Sequence, residues 1–205
     1  EERIRHHALK RPLVLINRDI RGIPRVLIDS STGVMDAIAH LAELGHRHIV
    51  YVSGPASSWA NQQRRAAVRA GAKLHHMAVT VVAAKVPSYE SGRAVVPDIL
   101  ASKATAVVAF DDLTAQGIMT GMADRGVSVP GQISIVGCDD VLGAATYPSL
   151  TTVSNRSDEA GRAGMSLLLD MLSSRAVGDA RLVLGTHLVV RNTTAPPAGD
   201  RSAPH

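Results

Sequence analysis

Two apolar runs joined by one helix-forming stretch constrain the fold of this chain more than any other feature. The first run spans 105–110, the second spans 133–138, and each ends in a pair of aspartates. These are Asp111, Asp112, Asp139 and Asp140. Two strands joined by a helix of this length form a parallel βαβ unit. The sequence therefore predicts two parallel strands whose acidic ends lie at the edge where open α/β sheets bind ligands.

The same alternation of strand and helix continues along the chain, which is typical of an α/β fold. The predicted strands are 12–17, 25–29, 48–53, 80–86, 105–110, 133–138, 150–153 and one around 188–190, and the predicted helices are 30–44, 56–72, 88–100, 112–125 and 158–174. Residues 46–140 supply enough units for one doubly wound sheet, whereas 12–44 supply too little to bury their own apolar faces. We expect either a second, smaller sheet completed by helix 158–174 or by other protein, or one large sheet that includes everything.

Composition narrows the class of protein. Hydrophobic residues make up 45% of the 205 residues and charged residues 20%, and no apolar run is long enough to span a membrane. The first eleven residues lack the apolar segment of a secretory signal. Cys138 is the lone cysteine, which excludes an internal disulfide and fits a reducing compartment. We therefore expect a cytoplasmic protein without a membrane partner.

The net charge of +4 comes from basic residues that are scattered along the sequence rather than clustered, so the surface of this chain is not itself expected to contact nucleic acid.

Six segments in a fixed order carry a family signature. They are LAELGHRHIVYVSGP (41–55), QQRRAAV (62–68), TAVVAFDDLTAQGIM (105–119), VPGQISIVGCDD (129–140), YPSLTTV (147–153) and HLVVRNTT (187–194). Together they resemble the effector-binding core of LacI/GalR-type transcriptional regulators over nearly the whole chain. Periplasmic sugar-binding proteins share the fold, but the sequences GHRHI and ISIVGCDD are similar to the corresponding motifs of the regulators.

The resemblance implies a periplasmic-binding-protein-like α/β fold of two doubly wound parallel-sheet subdomains joined by three crossovers. The N-terminal subdomain would comprise 1–45 and 155–180, and the C-terminal subdomain 46–154 and 181–194. Residues 195–205, rich in proline and alanine, are expected to form a disordered tail. A small molecule, a sugar or sugar derivative, would bind in the cleft between the subdomains.

The proteins that the chain resembles also have segments for which this sequence contains no match. Family members begin with a helix-turn-helix DNA reader and the first strand–helix units of the N-terminal subdomain. We therefore expect a truncated N-terminal subdomain that exposes apolar surface and favours self-association. Operator DNA would be contacted only through an N-terminal domain absent from this chain, and the implied assembly is a homodimer.

The function implied is that of a ligand-sensing domain without catalytic activity or a cofactor. The alternatives are a stand-alone sugar-binding protein and an enzyme that acts on a sugar at the same sheet edge. Paired carboxylates can hydrolyse glycosides, but no setting that would raise a carboxyl pKa is visible in the sequence. The GxGxxG, GxxxxGK and GxSxG patterns are absent from the sequence.

Four aspartates divide into two expected roles. The resemblance places Asp111 and Asp139 at acidic ligand positions, where carboxylates accept strong hydrogen bonds from paired hydroxyls. Asp112 and Asp140 are expected to be structural, with Asp112 capping the helix that follows it. The alternative is that all four only cap helices and turns.

Three further residues are candidate ligand contacts. Arg64 matches the arginine that the family directs into the cleft, and its alternative role is a surface salt bridge. Trp59, the sole tryptophan, would stack on an apolar sugar face or else pack in the core. Thr32 lies with Asp29 at the opposing lip, where capping of helix 30–44 is the alternative role.

A group of histidines has the appearance of a metal site. His40, His46 and His48 lie close together in the sequence. The His46–His48 segment begins a predicted strand in what resembles the family's structural turn, and a zinc site needs converging ligands with their own supporting groups. We therefore expect no metal.

Overall fold

The computed structural model describes residues 1–84, 86–141 and 143–200. The helices are α1 (Glu2–Ala8), α2 (Ser30–Glu43), α3 (Trp59–Leu74), α4 (Tyr89–Ala94), α5 (Val96–Ala101), α6 (Asp112–Ala123) and α7 (Ser157–Leu172). The strands are β1 (Leu15–Ile16), β2 (Arg25–Asp29), β3 (His48–Ser53), β4 (Ala78–Ala83), β5 (Ala106–Ala109), β6 (Ser134–Asp139), β7 (Thr151–Ser154), β8 (Arg181–Gly185) and β9 (His187–Val189). No helix within these residues is long and apolar enough to cross a membrane.

The strands form two sheets. Six strands form the larger sheet in the order β4-β3-β5-β6-β7-β9, and three form the smaller sheet in the order β1-β2-β8. All strand pairs are parallel except β7 with β9, which is antiparallel. The predicted α/β class with parallel sheets is confirmed, and the alternative of a single sheet is wrong.

Helices cover both faces of the larger sheet, which explains why its central strands are continuous apolar runs. Side chains along β3 alternate between the two cores, with Ile49 facing α2 and α3 and Val50 facing α5 and α6. Both are fully buried. Each such side chain contributes about 1.5–3 kcal/mol to folding, so this two-sided core fixes the strand order that builds the sheet edge.

The predicted helix 88–100 is divided into α4 and α5. Pro97 lies in the first turn of α5, where its missing N–H costs nothing because that position has no partner within the helix. α4 packs closely against α6, and Gly92 and Gly117 provide the contact. A Cβ atom on Gly117 would lie 1.9 Å from the carbonyl oxygen of Tyr89, so the two backbones touch here.

Helix α7 packs on the smaller sheet. Its apolar side, which includes Ala160 and Leu167, contacts Val26 and Ile28 of β2. Sequence 181–191 forms two strands rather than the single predicted one, because β8 pairs with β2 and β9 pairs with β7. The two strands belong to different sheets although one residue, Thr186, separates them.

The chain folds into two compact units. The smaller unit is Glu1–Asp29 with Arg156–Thr186, and the larger unit is Ser30–Asn155 with the segment from His187 onwards. The predicted subdomain boundaries differ from these at three places, one of which moves only Asn155 into the larger unit. Helix α2 belongs to the larger unit because it contributes to the core beside β3, and β8 belongs to the smaller unit because it pairs with β2. The chain passes between the units three times.

The first residues of the predicted tail, 195–205, are hydrogen-bonded to the larger sheet. The Ala195 N–H donates to the Ser134 hydroxyl over 3.0 Å, and residues Ala198–Asp200 form a single 3-10 turn. This first part is therefore not disordered as expected, because it is hydrogen-bonded to the amino end of β6. Residues 201–205 of the tail lie outside the described residues.

The smaller unit exposes apolar side chains, in agreement with the expected apolar surface. Ile16 is 50% exposed at the end of the edge strand β1, and Leu172 is 62% exposed on α7. Met165 and Leu169 on the same helix are also more than half exposed. Apolar patches of this kind mark association surfaces, and self-association of the chain stays a prediction.

Candidate functional site

Four neighbouring parallel strands end at one edge of the larger sheet. Strands β3, β5, β6 and β7 run in the same direction, with Val108 paired to Val136 and Asp139 paired to Ser154. This register brings Asp111, Asp139 and Asn155 to the same edge. Carboxyl ends of parallel strands are where open α/β sheets bind ligands, so this edge is the candidate site.

Arg64 connects two of these strand ends. Its guanidinium donates from Nη2 to Oδ1 of Asp139 over 2.7 Å and from Nη1 to the carbonyl oxygen of Phe110. The guanidinium carbon also lies 5.0 Å from the centre of the Phe110 ring, a cation–π contact. Arg64 is only 3% exposed. The alternative of a surface salt bridge is therefore wrong, because Arg64 is buried at the sheet edge, where it meets the partly exposed Asp139.

Asp139 receives a second hydrogen bond from Asn155. The Asn155 side-chain nitrogen donates to the same Oδ1, and Asn155 itself is 5% exposed. Burial raises the pKa of the Asp139 carboxyl, while Arg64 and Asn155 oppose the rise and nearby Asp111 adds to it. Asn155 is absent from the sequence-based assignment. The signal that could have revealed it is a polar residue directly after a strand that neighbours β6.

The cluster of Arg64, Asp139 and Asn155 contains buried polar atoms with unmet hydrogen-bonding capacity. Nε of Arg64 and the side-chain oxygen of Asn155 are both buried and have no partner among the residues described. An unsatisfied buried polar atom costs about 1–3 kcal/mol, and such atoms in native proteins call for an explanation. One free donor and one free acceptor beside Asp139 are what a bound polar molecule would satisfy.

The four aspartates have roles that differ in part from those expected. Asp111 is the N-cap of α6, since its Oδ1 accepts from the Thr114 N–H over 2.8 Å. Asp112 is 2% exposed and accepts from the Thr152 hydroxyl over 2.5 Å and from the Val141 N–H over 3.0 Å. The predicted capping by Asp112 is therefore wrong, because α6 begins at Asp112 and the cap falls one residue earlier.

Asp140 is structural in the described part of the chain, since it forms an ion pair with Arg191 over 2.8 Å. Asp111 is partly exposed, and only its Oδ1 is used in capping. Ligand contact by Asp111 and by Asp139 stays a prediction.

The turn between β3 and α3 holds Arg64 in place. Asn61 accepts from the Tyr51 hydroxyl over 2.9 Å and from the Gly54 N–H over 3.1 Å. A Cβ atom on Gly54 would lie 2.7 Å from the Phe110 ring, so the absence of a side chain at Gly54 lets that ring lie beneath Arg64. Burial raises the pKa of Tyr51, which keeps its hydroxyl a donor.

Trp59 and Thr32 are not brought to this cluster by any described contact. Trp59 is the partly exposed first residue of α3, and Thr32 is exposed in the first turn of α2. Within the described ranges, no hydrogen bond or ring contact links either residue to the Arg64–Asp139 pair. Ligand contact by these two residues stays a prediction.

The three histidines have separate partners. His46 is 1% exposed and bonds to the Thr105 hydroxyl over 2.7 Å and to the Ala195 carbonyl over 3.0 Å. His40 and His48 bond to two different threonine hydroxyls. Among the described residues, no group of three histidine, cysteine or acidic side chains is placed to hold a metal ion.

His46 should make the stability of the fold depend on pH. Burial lowers the pKa of His46 below its ordinary value, although the bond to Ala195 opposes the shift. A group whose pKa is lowered in the folded state supports folding above its unfolded pKa of about 6.5 and destabilises it as pH falls further. We expect the free energy of unfolding in urea to drop between about pH 7.5 and about pH 5.5, and to drop less in His46→Gln.

The control is His7→Gln, at an exposed histidine. Equal pH dependence of the unfolding free energy in the unsubstituted protein and both variants would contradict the expectation.

Comparison with known proteins identifies the class. The family model of the periplasmic binding protein-like domain matches residues 38–194. A transcriptional regulator of the HTH type from Streptomyces limosus, encoded in the aml 5′ region, is 34% identical over 194 residues, which cover 90% of this chain and 55% of that protein. The chain therefore belongs to the periplasmic binding protein-like domain family.

Solved structures identify the branch of this family. A LacI transcriptional regulator from a Rhodococcus species superposes with a TM-score of 0.87 at 31% identity, covering 95% of this chain and 74% of that one. A LacI family regulator from Enterococcus faecalis V583 with bound ribose superposes with a TM-score of 0.83 at 28% identity, covering 93% and 71%. The chain is a LacI-family effector-binding core, and it spans about half the length of the curated relatives that it matches.

Proposed function

We propose that this chain is the ligand-sensing domain of a LacI-type transcriptional regulator and that it binds a sugar or sugar derivative at the edge around Arg64 and Asp139. The observation that carries the proposal is the Arg64–Asp139–Asn155 cluster at the carboxyl ends of parallel strands, in which the partly exposed Asp139 is held by two buried side chains. Its unpaired donor and acceptor give a ligand two specific hydrogen bonds to satisfy. The E. faecalis neighbour, whose fold is the same, has ribose bound.

Each residue has a defined part in the proposal. The free oxygen of Asp139 and the free oxygen of Asp111 accept hydrogen bonds from ligand hydroxyls, with charge-assisted strength. Arg64 donates from Nε and holds Asp139 in position. Trp59 stacks on an apolar face of the sugar, and Thr32 supplies a hydroxyl from the first turn of α2.

The regulatory part of the proposal rests on differential affinity. A ligand that binds one conformation of a regulator more tightly than another shifts the equilibrium towards it, and the same coupling changes affinity for DNA. The proposed partners are a second copy of the chain and operator DNA, which an N-terminal domain outside this chain would contact. Such a regulator acts in the cytoplasm.

A panel of sugars tests the binding function against the alternative of an enzyme. Monosaccharides, disaccharides and nucleosides are added at millimolar concentration, and both the thermal unfolding midpoint and the appearance of products are followed. Binding of ligand to the native state stabilises that state and so raises the unfolding midpoint. At a ligand concentration of a hundred times Kd, the added stability is about 2.7 kcal/mol. We expect a shift with at least one sugar and no turnover. Turnover that disappears in Asp139→Asn would replace the proposal by a sugar-acting enzyme.

A further inference from the structure

We infer that Arg191 is a positioning residue of the proposed ligand site, and that it acts through the backbone of the turn after β6 rather than by contact with the Asp139 carboxylate. The turn begins at Asp139, and the structure describes its residues 139–141 and 143. This inference rests on the proposed function, and it names a further residue on which the same site depends.

The backbone of this turn is strained where it begins. Asp139 has a φ of 115° and Asp140 has a φ of 54°. Positive φ is uncommon for residues other than glycine, and a value of 115° lies beyond the narrow left-handed range that short polar residues tolerate. Conformations of this kind persist only where the surrounding structure holds them, and they cluster at functional sites. The strained Asp139 is the residue whose carboxylate meets Arg64, so neighbouring groups must hold its backbone.

Arg191 holds the turn from one side. Its Nη2 lies 2.8 Å from Oδ1 of Asp140, and its Nη1 donates to the carbonyl oxygen of Leu150 over 2.9 Å. The side chains of Arg191 and Asp140 are each 20% exposed, so this ion pair is partly shielded from water and stronger than an exposed one. The guanidinium therefore ties the second strained residue to the residue that precedes β7.

Gly143 provides the space that the guanidinium occupies. A Cβ atom on Gly143 would lie 2.2 Å from Nη1 of Arg191 and 3.0 Å from Oδ1 of Asp140. Any side chain at this position would therefore push the guanidinium away from Asp140.

Asp112 holds the turn from the other side. Its Oδ2 accepts from the Val141 N–H over 3.0 Å, and its Oδ1 accepts from the Thr152 hydroxyl over 2.5 Å. Asp112 is 2% exposed, so it fixes the turn to the buried start of α6. With both sides held, the Asp139 carboxylate is directed towards its donors on Arg64 and Asn155. Loss of the Arg191 contact should let the strained backbone relax and turn that carboxylate away.

Three substitutions test this role of Arg191. Arg191→Gln removes the guanidinium, Arg191→Lys keeps the charge but lacks the planar fork that serves both partners, and Gly143→Ala displaces the guanidinium without changing any charge. The matched control is Arg162→Gln, at an arginine that is 71% exposed in its ion pair with Asp158.

Affinity for ligand is the first measurement. The probes are D-ribose, D-glucose, D-galactose, maltose and adenosine, and binding is followed by NMR titration. For each probe that binds, we expect Arg191→Gln and Gly143→Ala to weaken affinity by about tenfold and Arg191→Lys by about threefold. Arg162→Gln should leave affinity unchanged, because exposed pairs contribute little.

A double-mutant cycle separates positioning from general support of the fold. In the Asp139→Asn background the carboxylate is already absent, so the further substitution Arg191→Gln should change affinity by no more than about twofold. A residue that only supports the fold would weaken affinity equally in both backgrounds.

Hydrogen exchange of the ligand-free protein is the second measurement. The backbone amides of Asp140 and Val141 should exchange faster in Arg191→Gln, whereas those of β5 should exchange at the rate of the unsubstituted protein. Faster exchange that is confined to the turn is the sign of local rather than global opening.

The outcomes distinguish the inference from the function beneath it. Equal losses of affinity in the two backgrounds, unchanged affinity in Arg191→Gln, or faster exchange throughout the larger unit would each overturn the inference and leave the proposed sugar-binding function in place. Absence of binding for every probe overturns the proposed function and the inference with it.

Discussion

Replacing Asp139 by asparagine should weaken binding of the effector by about a hundredfold or more. Each hydrogen bond to a charged group contributes about 1.5–3 kcal/mol, and the substitution removes the carboxylate from both Arg64 and the ligand. Asparagine keeps the size of the side chain, so the fold should be maintained. Arg64→Ala should have an effect of similar size, because it removes the free Nε donor and the group that positions Asp139. Calorimetry with whichever sugar shifts the unfolding midpoint provides the measurement.

The two alanine substitutions, Arg64→Ala and Asp139→Ala, need a check of folding, whereas asparagine at 139 keeps an oxygen that accepts from Arg64. Either alanine removes one partner of a pair whose guanidinium is 3% exposed, and breaking a buried pair costs up to about 3–5 kcal/mol. A loss of binding could then follow from partial unfolding. The Cys138 thiol offers a check on every variant, because it is 1% exposed and burial raises its pKa to about 12. It should resist alkylation as long as the larger unit stays folded.

The matched control is the exposed ion pair of Arg162 and Asp158. These side chains are 71% and 70% exposed and lie 2.6 Å apart on α7. Exposed pairs contribute little to stability, so Asp158→Asn should change neither binding nor the protection of Cys138. Unchanged affinity in both Asp139→Asn and Arg64→Ala would remove these residues from the site.

Gly117→Ala should destabilise the larger unit by about 2 kcal/mol, although alanine favours helices over glycine by about 1 kcal/mol. The added Cβ would lie 1.9 Å from the carbonyl oxygen of Tyr89, so α4 must move away from α6. Overpacking of this kind costs about 1–3 kcal/mol, and more where backbone atoms are involved. Urea unfolding, followed by Trp59 fluorescence and by the alkylation rate of Cys138, measures the change in the larger unit.

Gly161→Ala is the matched substitution without the close contact. Gly161 lies in α7, where an added Cβ would meet nothing within 4 Å. Alanine should therefore stabilise that helix by about 0.5–1 kcal/mol, measured by circular dichroism. If Gly117→Ala were equally stabilising, the close approach of α4 and α6 would be wrong.

The sequence predicted those parts of the site that follow from the order of strands and helices along the chain. Strands that end in Asp111 and Asp139 must meet at one edge once they are parallel neighbours, and β5 and β6 are such neighbours. The periodicity of the helices and the continuous apolar runs are likewise local, because each reflects side chains within one element. The family resemblance added Arg64, which no local pattern distinguishes from Arg65.

What only the tertiary structure decided is which atoms meet. Arg64 and Asp139 are 75 residues apart, so nothing near either of them in the sequence shows that the guanidinium is buried against that carboxylate. The capping role falls to Asp111 instead of Asp112 because α6 begins one residue later than expected, and Asn155 becomes part of the cluster only because β7 lies beside β6. Strand and helix formation follow from nearby side chains, whereas burial, pairing and unmet hydrogen bonds arise when distant segments exclude water together.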